Sequence, residues 1–229
     1  MMKEERRMSA LELELQALKE NLCDMCALVR SQVAKCKEVI ENKDTDLAEE
    51  IISGEKKVNV QEIAIDRDCE NILALHNPVA TDLRFVLATL KITNDLERIG
   101  DNAKSLARWL KSNINKVPDK LLRQYQLPDM LDIVVEMLND MGEALRISDT
   151  KLARKAAKKD EALNDHKKRA FKVTVELVRE YPEEAKALLN LFAISRNMER
   201  AGDLTKNIAE EIVFHIEAKV LKHKKDRED

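Results

Sequence analysis

Apolar residues recur along most of the chain at intervals of three and four positions, which places them on one face of an α-helix. In the first segment they include Leu15, Leu22 and Val29. With its polar and proline-containing interruptions, the pattern predicts six helices, at about residues 9–42, 45–75, 78–113, 129–147, 149–180 and 182–221. No segment is predicted as a strand, so the sequence predicts an all-α protein.

Capping residues support several of the predicted helix starts. Asp44-Thr45 offers an N-cap for the second helix and Ser148-Asp149-Thr150 one for the fifth, because a side-chain oxygen there can accept from free backbone N–H groups. Asn77-Pro78 is interpreted as a cap followed by a proline in the first turn of the third helix.

Two segments of the chain, residues 90–107 and 192–209, are near-copies of each other. At an offset of 102 positions they share the pairs Ile92/Ile194, Glu97/Glu199, Arg98/Arg200, Gly100/Gly202, Asp101/Asp203, Lys104/Lys206 and Ala107/Ala209. A second, shorter repeat matches Thr45, Leu47 and Ala48 with Thr150, Leu152 and Ala153 at an offset of 105. Repeats of this length indicate a duplicated unit.

The duplication predicts two tandem three-helix bundles related by internal pseudo-symmetry. The first bundle is expected in residues 1–115 and the second in residues 116–229. The boundary is placed there because Pro118 and Pro128 bracket a polar stretch in which the helical pattern breaks.

Composition narrows the classes of function. The formal net charge is −3 and the pI is near 6.0, which argues against nucleic acid as the main partner because such binding requires a basic face. No segment is interpreted as a signal peptide, and no apolar run approaches the roughly 20 residues of a membrane span. A cytoplasmic protein is therefore expected, with its four cysteines as free thiols.

The duplicated segment carries two carboxylates separated by one helical turn. Glu97 and Asp101 lie beside the apolar stripe of the third helix and project from one face, about 6 Å apart along the axis. Oxygen ligands so placed can share a cation, and they favour hard or borderline ions such as Mg, Ca, Mn or Fe. The glycine between them, Gly100, indicates close approach by a neighbouring helix or room for a hydrated ion.

Two carboxylates do not hold a metal alone, so a neighbouring helix is expected to contribute further ligands. At the offset of 105, each half has an acid followed four residues later by an asparagine. The first half also has Glu62 and Asp66, whereas the second half has Lys167 and Phe171 at the matching positions. The predicted metal ligands are Glu55, Asn59, Glu62, Asp66, Glu97 and Asp101 in the first half and Asp160, Asn164, Glu199 and Asp203 in the second. No catalytic residue is predicted.

The alternative is a salt-bridged surface on a helical scaffold without metal. Acid pairs one turn apart arise often by chance in a chain with 43 acidic residues, and Arg98 or Lys104 could neutralise Glu97. A ferritin-like oxidase is disfavoured, because no histidine follows a glutamate by three positions as di-iron bundles require. A phosphate-binding glycine loop and a nucleophile with an adjacent base are also missing from the sequence.

Several stretches resemble the PhoU family of phosphate-signalling regulators. PVATDLR at 78–84 followed by DLERIGD at 95–101 is similar to the first half of the family pattern. MERAGD at 198–203 with NIAE at 207–210 is similar to the second half, and VNVQEIAID at 58–66 also matches. The resemblance extends from residue 11 to about residue 220.

The resemblance implies a cytoplasmic, usually homodimeric protein of two three-helix bundles without enzymatic activity. It implies a negative regulator of phosphate uptake and phosphate-starvation signalling. Such a regulator acts between PstB, the ATPase subunit of the Pst phosphate transporter, and the sensor kinase PhoR, and it reaches the membrane only through these partners. A regulator of a low-affinity phosphate permease is an alternative that the sequence leaves open.

The resemblance also implies bound metal, either iron or Mg, Mn, Ca or Zn, on Glu/Asp-x-x-x-Asp motifs. In this chain those motifs are Glu97 with Asp101 and Glu199 with Asp203. The equivalent motifs on the second and fifth helices end in Asn59 and Asn164, where aspartate is the better ligand. Metal binding is therefore expected to be weaker there, above all in the second half.

Overall fold

A computed structural model describes residues 8–219, and it confirms the predicted all-α class. Its helices are α1 (Ala10–Asn42), α2 (Thr45–His76), α3 (Ala80–Asn113), α4 (Asp119–Leu122), α5 (Leu127–Ile147), α6 (Thr150–Lys158), α7 (Asp160–Glu180) and α8 (Ala185–Glu217). Two short 3₁₀ turns lie at Arg123–Tyr125 and Pro182–Glu184. Residues 8–219 contain no strand, and none of their helices is long and apolar enough to cross a membrane.

Side-chain caps set the starts of the helices. At the start of α1, Ser9 and Glu12 form a capping box: the Ser9 hydroxyl accepts from the Glu12 N–H, and the Glu12 carboxylate accepts from the Ser9 N–H at 2.7 Å. The carboxylates of Asp44 and Asp149 each accept two backbone N–H groups at the starts of α2 and α6. The predicted caps of the second and fifth helices are therefore confirmed, and within residues 148–150 the capping residue is Asp149.

The predicted start of the third helix is wrong by two residues. Asn77 does not cap α3; it ends α2 in the left-handed conformation, with φ of 46°. Asparagine tolerates this conformation at a helix C-terminus better than most residues. Pro78 then carries the chain to Val79, which precedes α3 without a side-chain cap.

The predicted fifth helix, 149–180, is interrupted at Lys159, between α6 and α7. The Lys159 N–H bonds to the carbonyl of Ala156, three residues back, so the helix tightens locally. Its ammonium lies 3.0 Å from both Glu136 and Asp140 on α5. The predicted sixth helix begins with a 3₁₀ turn and becomes α-helical at Ala185. It ends at Glu217, before the predicted end at about residue 221, because Ala218 is left-handed with φ of 55°; residues 220 and 221 lie outside the described range.

Helices α1 to α3 form one bundle and α5 to α8 form the other, as the duplication predicts. The bundles meet where α1 packs against α5 and α3 against α8, and their apolar residues form one continuous core. Between them, the buried Tyr125 hydroxyl bonds to Thr174 Oγ1 at 2.8 Å and to the Leu188 carbonyl at 3.0 Å. The domain boundary between residues 115 and 116 stays a prediction. All four cysteines carry free thiols.

Candidate metal centre

Helices α2 and α3 bring five of the predicted ligands to one face of the first bundle. We call Glu55, Asn59, Glu62, Glu97 and Asp101 the first cluster. One carboxylate oxygen from each of Glu55, Glu97 and Asp101 lies within 4.8 Å of the other two. Among residues 8–219 this is the one such set of three acidic, histidine or cysteine ligands.

Burial differs strongly across the first cluster. Glu55 is 5% exposed, Glu97 is half-buried and Asp101 is exposed. Asn59 Nδ2 donates to Glu55 Oε1 at 2.7 Å, whereas Asn59 Oδ1 is buried without a hydrogen-bond partner. That oxygen is an acceptor which a bound ion, or water on it, would satisfy.

A lysine that was not predicted as part of the site lies inside it. Lys104 Nζ is 2.6 Å from Glu55 Oε2 and 3.8 Å from Asp101 Oδ1. The signal was present in the sequence, because Lys104 and Lys206 are a matched pair within the duplicated segments. An ion entering the first cluster must therefore compete with Lys104 for Glu55.

Glu97 does not form either of the two ion pairs, with Arg98 or with Lys104, that the alternative without metal assigned to it. Arg98 pairs with Asp95 at 3.5 Å, and Lys104 pairs with Glu55. Glu97 thus lies near three other carboxylates, those of Glu55, Glu62 and Asp101, and has neither of the cations that the salt-bridged surface assigns to it.

Charge crowding shifts the pKa values in the first cluster. Burial raises the pKa of Glu97, and the charges of Asp101, Glu62 and Glu55 raise it further. Burial and the charges of Asp66 and Asp101 likewise raise the pKa of Glu62. Burial also works to raise the pKa of Glu55, but hydrogen bonds from Lys104 and Asn59 outweigh it, so that pKa is lowered.

These pKa directions describe a group of carboxylates with too little positive charge nearby. A divalent cation would relieve that repulsion directly. Asp66, the remaining predicted ligand of the first half, lies outside the set of three, as Glu62 does, and its charge acts on Glu62. Burial raises the pKa of Asp66, and the negative charge of Glu70 raises it further.

The second bundle has an equivalent group of side chains, which we call the second cluster: Asp160 and Asn164 on α7 with Glu199 and Asp203 on α8. Asp160 is 4% exposed, and its Oδ1 is buried without a hydrogen-bond partner. Burial raises the pKa of Asp160, and so does the charge of Asp203. The three carboxylates of the second cluster do not form a set as close as Glu55, Glu97 and Asp101.

Lysines also enter the second cluster. The ammonium of Lys167 contacts Glu199 Oε1 and lies 3.4 Å from Asn164 Oδ1. Lys206 Nζ is 3.9 Å from Asp160 Oδ2. The second cluster therefore contains two ammonium groups where the first contains one.

The glycines at the centre of the two motifs have different surroundings. A Cβ on Gly202 would overlap the Leu163 Cδ1 methyl and lie 2.9 Å from Asp160 Oδ1. A Cβ on Gly100 would lie 3.5 Å from Gln32 and from Val58, which is ordinary contact. The predicted close approach of a neighbouring helix is therefore confirmed at Gly202.

Substitution by alanine should have opposite effects on stability at Gly100 and Gly202. Gly202→Ala should lower the free energy of unfolding by about 1–3 kcal/mol, because the buried Leu163 and Asp160 must move. Gly100→Ala should be neutral or raise it by up to about 1 kcal/mol, because alanine favours the helix where space exists. Urea denaturation of the two variants measures both values, and a shift of the same sign and size in the pair would contradict this geometry.

The chain matches the PhoU domain twice, over residues 22–110 and 127–212. Among curated relatives, the phosphate-specific transport system accessory protein PhoU homolog of Aquifex aeolicus is 32% identical over 216 residues, covering 94% of this chain and 96% of that protein. The phosphate-specific transport system accessory protein PhoU of Escherichia coli is 28% identical over 210 residues, covering 92% and 86% of the two chains.

Two crystal structures share the fold. PhoU from Pseudomonas aeruginosa superposes with a TM-score of 0.85 at 29% identity, covering 90% of this chain and 99% of that one. The phosphate transport system regulatory protein PhoU from Streptococcus pneumoniae gives a TM-score of 0.77 at 26% identity, covering 92% and 99%. With both PhoU domains matched in order, and with relatives similar over nearly their whole length, this chain belongs to the PhoU family.

Proposed function

We propose that this chain is an accessory protein of a phosphate-specific transport system and a negative regulator of phosphate uptake and phosphate-starvation signalling. The observation that carries the proposal is the match of two PhoU domains in order, together with similarity over most of the chain to phosphate-specific transport system accessory proteins. The chain acts in the cytoplasm as a homodimeric adaptor, not as an enzyme. Its partners are the transporter ATPase PstB and the sensor kinase PhoR.

Exposed apolar side chains support a role in protein docking. On α2, Val60 and Ile63 are 68% and 60% exposed. On α7, Phe171 is 56% exposed, and its ring packs on Phe192 with centroids 5.7 Å apart. Contiguous apolar patches mark surfaces that bind other proteins, and Val60 and Ile63, three residues apart, are neighbours on one face of α2.

We further propose that the first cluster holds a divalent or trivalent metal ion, drawn from iron, Mn, Mg, Ca and Zn. Three carboxylate oxygens within 4.8 Å of one another and the unpartnered Asn59 Oδ1 fit such an ion. Glu55, Glu97 and Asp101 would bind it directly, and Glu62 would add negative charge beside it. The ion would supply the positive charge that the cluster lacks and would join α2 to α3.

Deletion of the gene in its source organism tests the regulatory function. In medium rich in phosphate, the deletion strain should switch on a phosphate-starvation reporter and accumulate excess phosphate, because the restraint on uptake and signalling is lost. A plasmid copy should restore repression. An unchanged reporter and unchanged uptake in the deletion strain would refute the proposed function.

A binding measurement tests the proposed partners separately. Purified PstB and the cytoplasmic part of PhoR should each retain the full chain on a column, and substitution of Val60 and Ile63 by aspartate should weaken retention by at least one partner. The matched control substitutes Glu176 and Glu180, an exposed pair one turn apart on α7, by glutamine. If neither partner retains the wild-type chain, the adaptor role is wrong.

A further inference from the structure

The two clusters differ most clearly at one matched position. The offset of 105 that aligns Glu55 with Asp160 and Asn59 with Asn164 also aligns Glu62 with Lys167. One half therefore has a carboxylate where the other half has an ammonium group. The duplication makes each cluster a built-in comparison for the other.

Lys167 lies among the predicted metal ligands of the second cluster. Its Nζ contacts Glu199 Oε1, on α8, and lies 3.4 Å from Asn164 Oδ1, on its own helix. Glu199 is the counterpart of Glu97, which has no such contact with Arg98 or Lys104 in the first half. The ammonium thus joins two predicted metal ligands and takes a lone pair from each.

The second cluster also carries less net negative charge than the first. In the first cluster, four carboxylates face one ammonium group, that of Lys104, so three negative charges are uncompensated. In the second cluster, three carboxylates face the ammonium groups of Lys167 and Lys206, so only one negative charge is uncompensated. A divalent cation gains less attraction there and is repelled by two nearby positive charges.

We infer that Lys167 takes the place of a metal ion in the second cluster, so that the chain binds divalent cations through its first cluster alone. The inference rests on the metal site proposed for the first cluster. The remaining donors of the second cluster are in place: Asp160 is 4% exposed, and its Oδ1 has no hydrogen-bond partner. Removal of the lysine should therefore turn the second cluster into a metal site.

The test is Mn²⁺ binding to the full chain, measured by equilibrium dialysis. Lys167→Glu restores the residue of the first half and should lower the dissociation constant of the second cluster for Mn²⁺ by about tenfold or more, the size of change that altered shells around metal sites produce. Adding Glu199→Gln to that variant should abolish the gain. Lys168→Glu is the matched control, because it makes the same charge change at the adjacent position, where the side chain is 70% exposed.

Two results would overturn the inference. One is wild-type Mn²⁺ binding that survives Glu97→Gln with Asp101→Asn but is lost with Glu199→Gln. The other is a Lys167→Glu variant that binds no more Mn²⁺ than Lys168→Glu does. If Lys167→Glu does not fold by circular dichroism, Lys167→Gln replaces it, with Lys168→Gln as its control and the same two criteria.

The proposed metal site can fail independently. Wild-type protein that binds no Mn²⁺, together with a gain in Lys167→Glu, would refute the metal proposal for the first cluster while supporting the blocking role of Lys167.

Discussion

Mn²⁺ is expected to raise the melting temperature of the wild-type protein, and the double substitution Glu97→Gln with Asp101→Asn should remove that effect. An ion at one hundred times its dissociation constant stabilises a fold by about 2.7 kcal/mol. For a chain of 229 residues this corresponds to roughly 5–10 °C. Thermal denaturation by circular dichroism, with and without Mn²⁺, measures the difference.

Without metal, the same double variant should be more stable than the wild type at neutral pH. Burial and the neighbouring carboxylates raise the pKa of Glu97. A carboxyl whose folded pKa is raised contributes stability when protonated and loses that contribution as the pH rises through the folded pKa. Two neutral amides avoid the repulsion, so the variant gains stability in chelator and loses the response to Mn²⁺.

The exposed pair Glu176 and Glu180 on α7 provides the control, because it has the same spacing without the clustering. Glu176→Gln with Glu180→Gln should keep the full Mn²⁺ response. A first-cluster variant that keeps that response, or that melts below the wild type in chelator, would show that these carboxylates form a structural ion-pair network.

Acidification should weaken the fold through His215, which lies on α8 where it packs against α3. The residue is 8% exposed, and the centroid of its ring lies 5.4 Å from that of Phe85. Burial lowers the pKa of His215 from 6.5 to about 4, and the positive charges of Lys19 and Arg84 act in the same direction. The imidazole is therefore neutral in the folded protein.

The sign of the pH effect follows from that lowered pKa. The contribution of His215 is fully present above pH 6.5 and is lost as the pH falls from there to about 4, because only the unfolded chain takes up the proton readily. The loss amounts to about 3 kcal/mol of unfolding free energy. His215→Gln should remove this part of the pH dependence.

Urea denaturation of the wild type and His215→Gln at about pH 7 and about pH 4 isolates the histidine, because the carboxylates titrate in both proteins. The wild type should lose about 3 kcal/mol more than the variant over this range. Equal losses in the two proteins would contradict the buried, neutral imidazole.

The helices were predictable where local chemistry sets them. Asp44 and Asp149 cap their helices through interactions within a few residues, and these were found from the sequence. The break at Lys159 could not be predicted from the sequence, because lysine is a good helix former. The break coincides with ion pairs to Glu136 and Asp140, which lie on another helix. Asn77 was misplaced because an asparagine beside a proline can end one helix or begin the next.

The candidate site shows the same division. The offset between the repeats singled out Glu55 as a candidate ligand from a neighbouring helix, and the structure brings its carboxylate within 4.8 Å of those of Glu97 and Asp101. It did not show that Lys104 would reach Glu55, because the choice of ion-pair partner depends on how two helices are rotated against each other. For the same reason, periodicity could not decide that Glu62 and Asp66 lie outside the set of three.

Anomalous X-ray diffraction from crystals of the wild-type protein grown with Mn²⁺ tests the central claim most directly. We expect a manganese peak in the first cluster, within roughly 2.0–2.6 Å of oxygens from Glu55, Glu97 and Asp101, with Lys104 displaced from Glu55. A first cluster without a peak at saturating Mn²⁺, with Lys104 still paired to Glu55, would contradict the proposed metal centre.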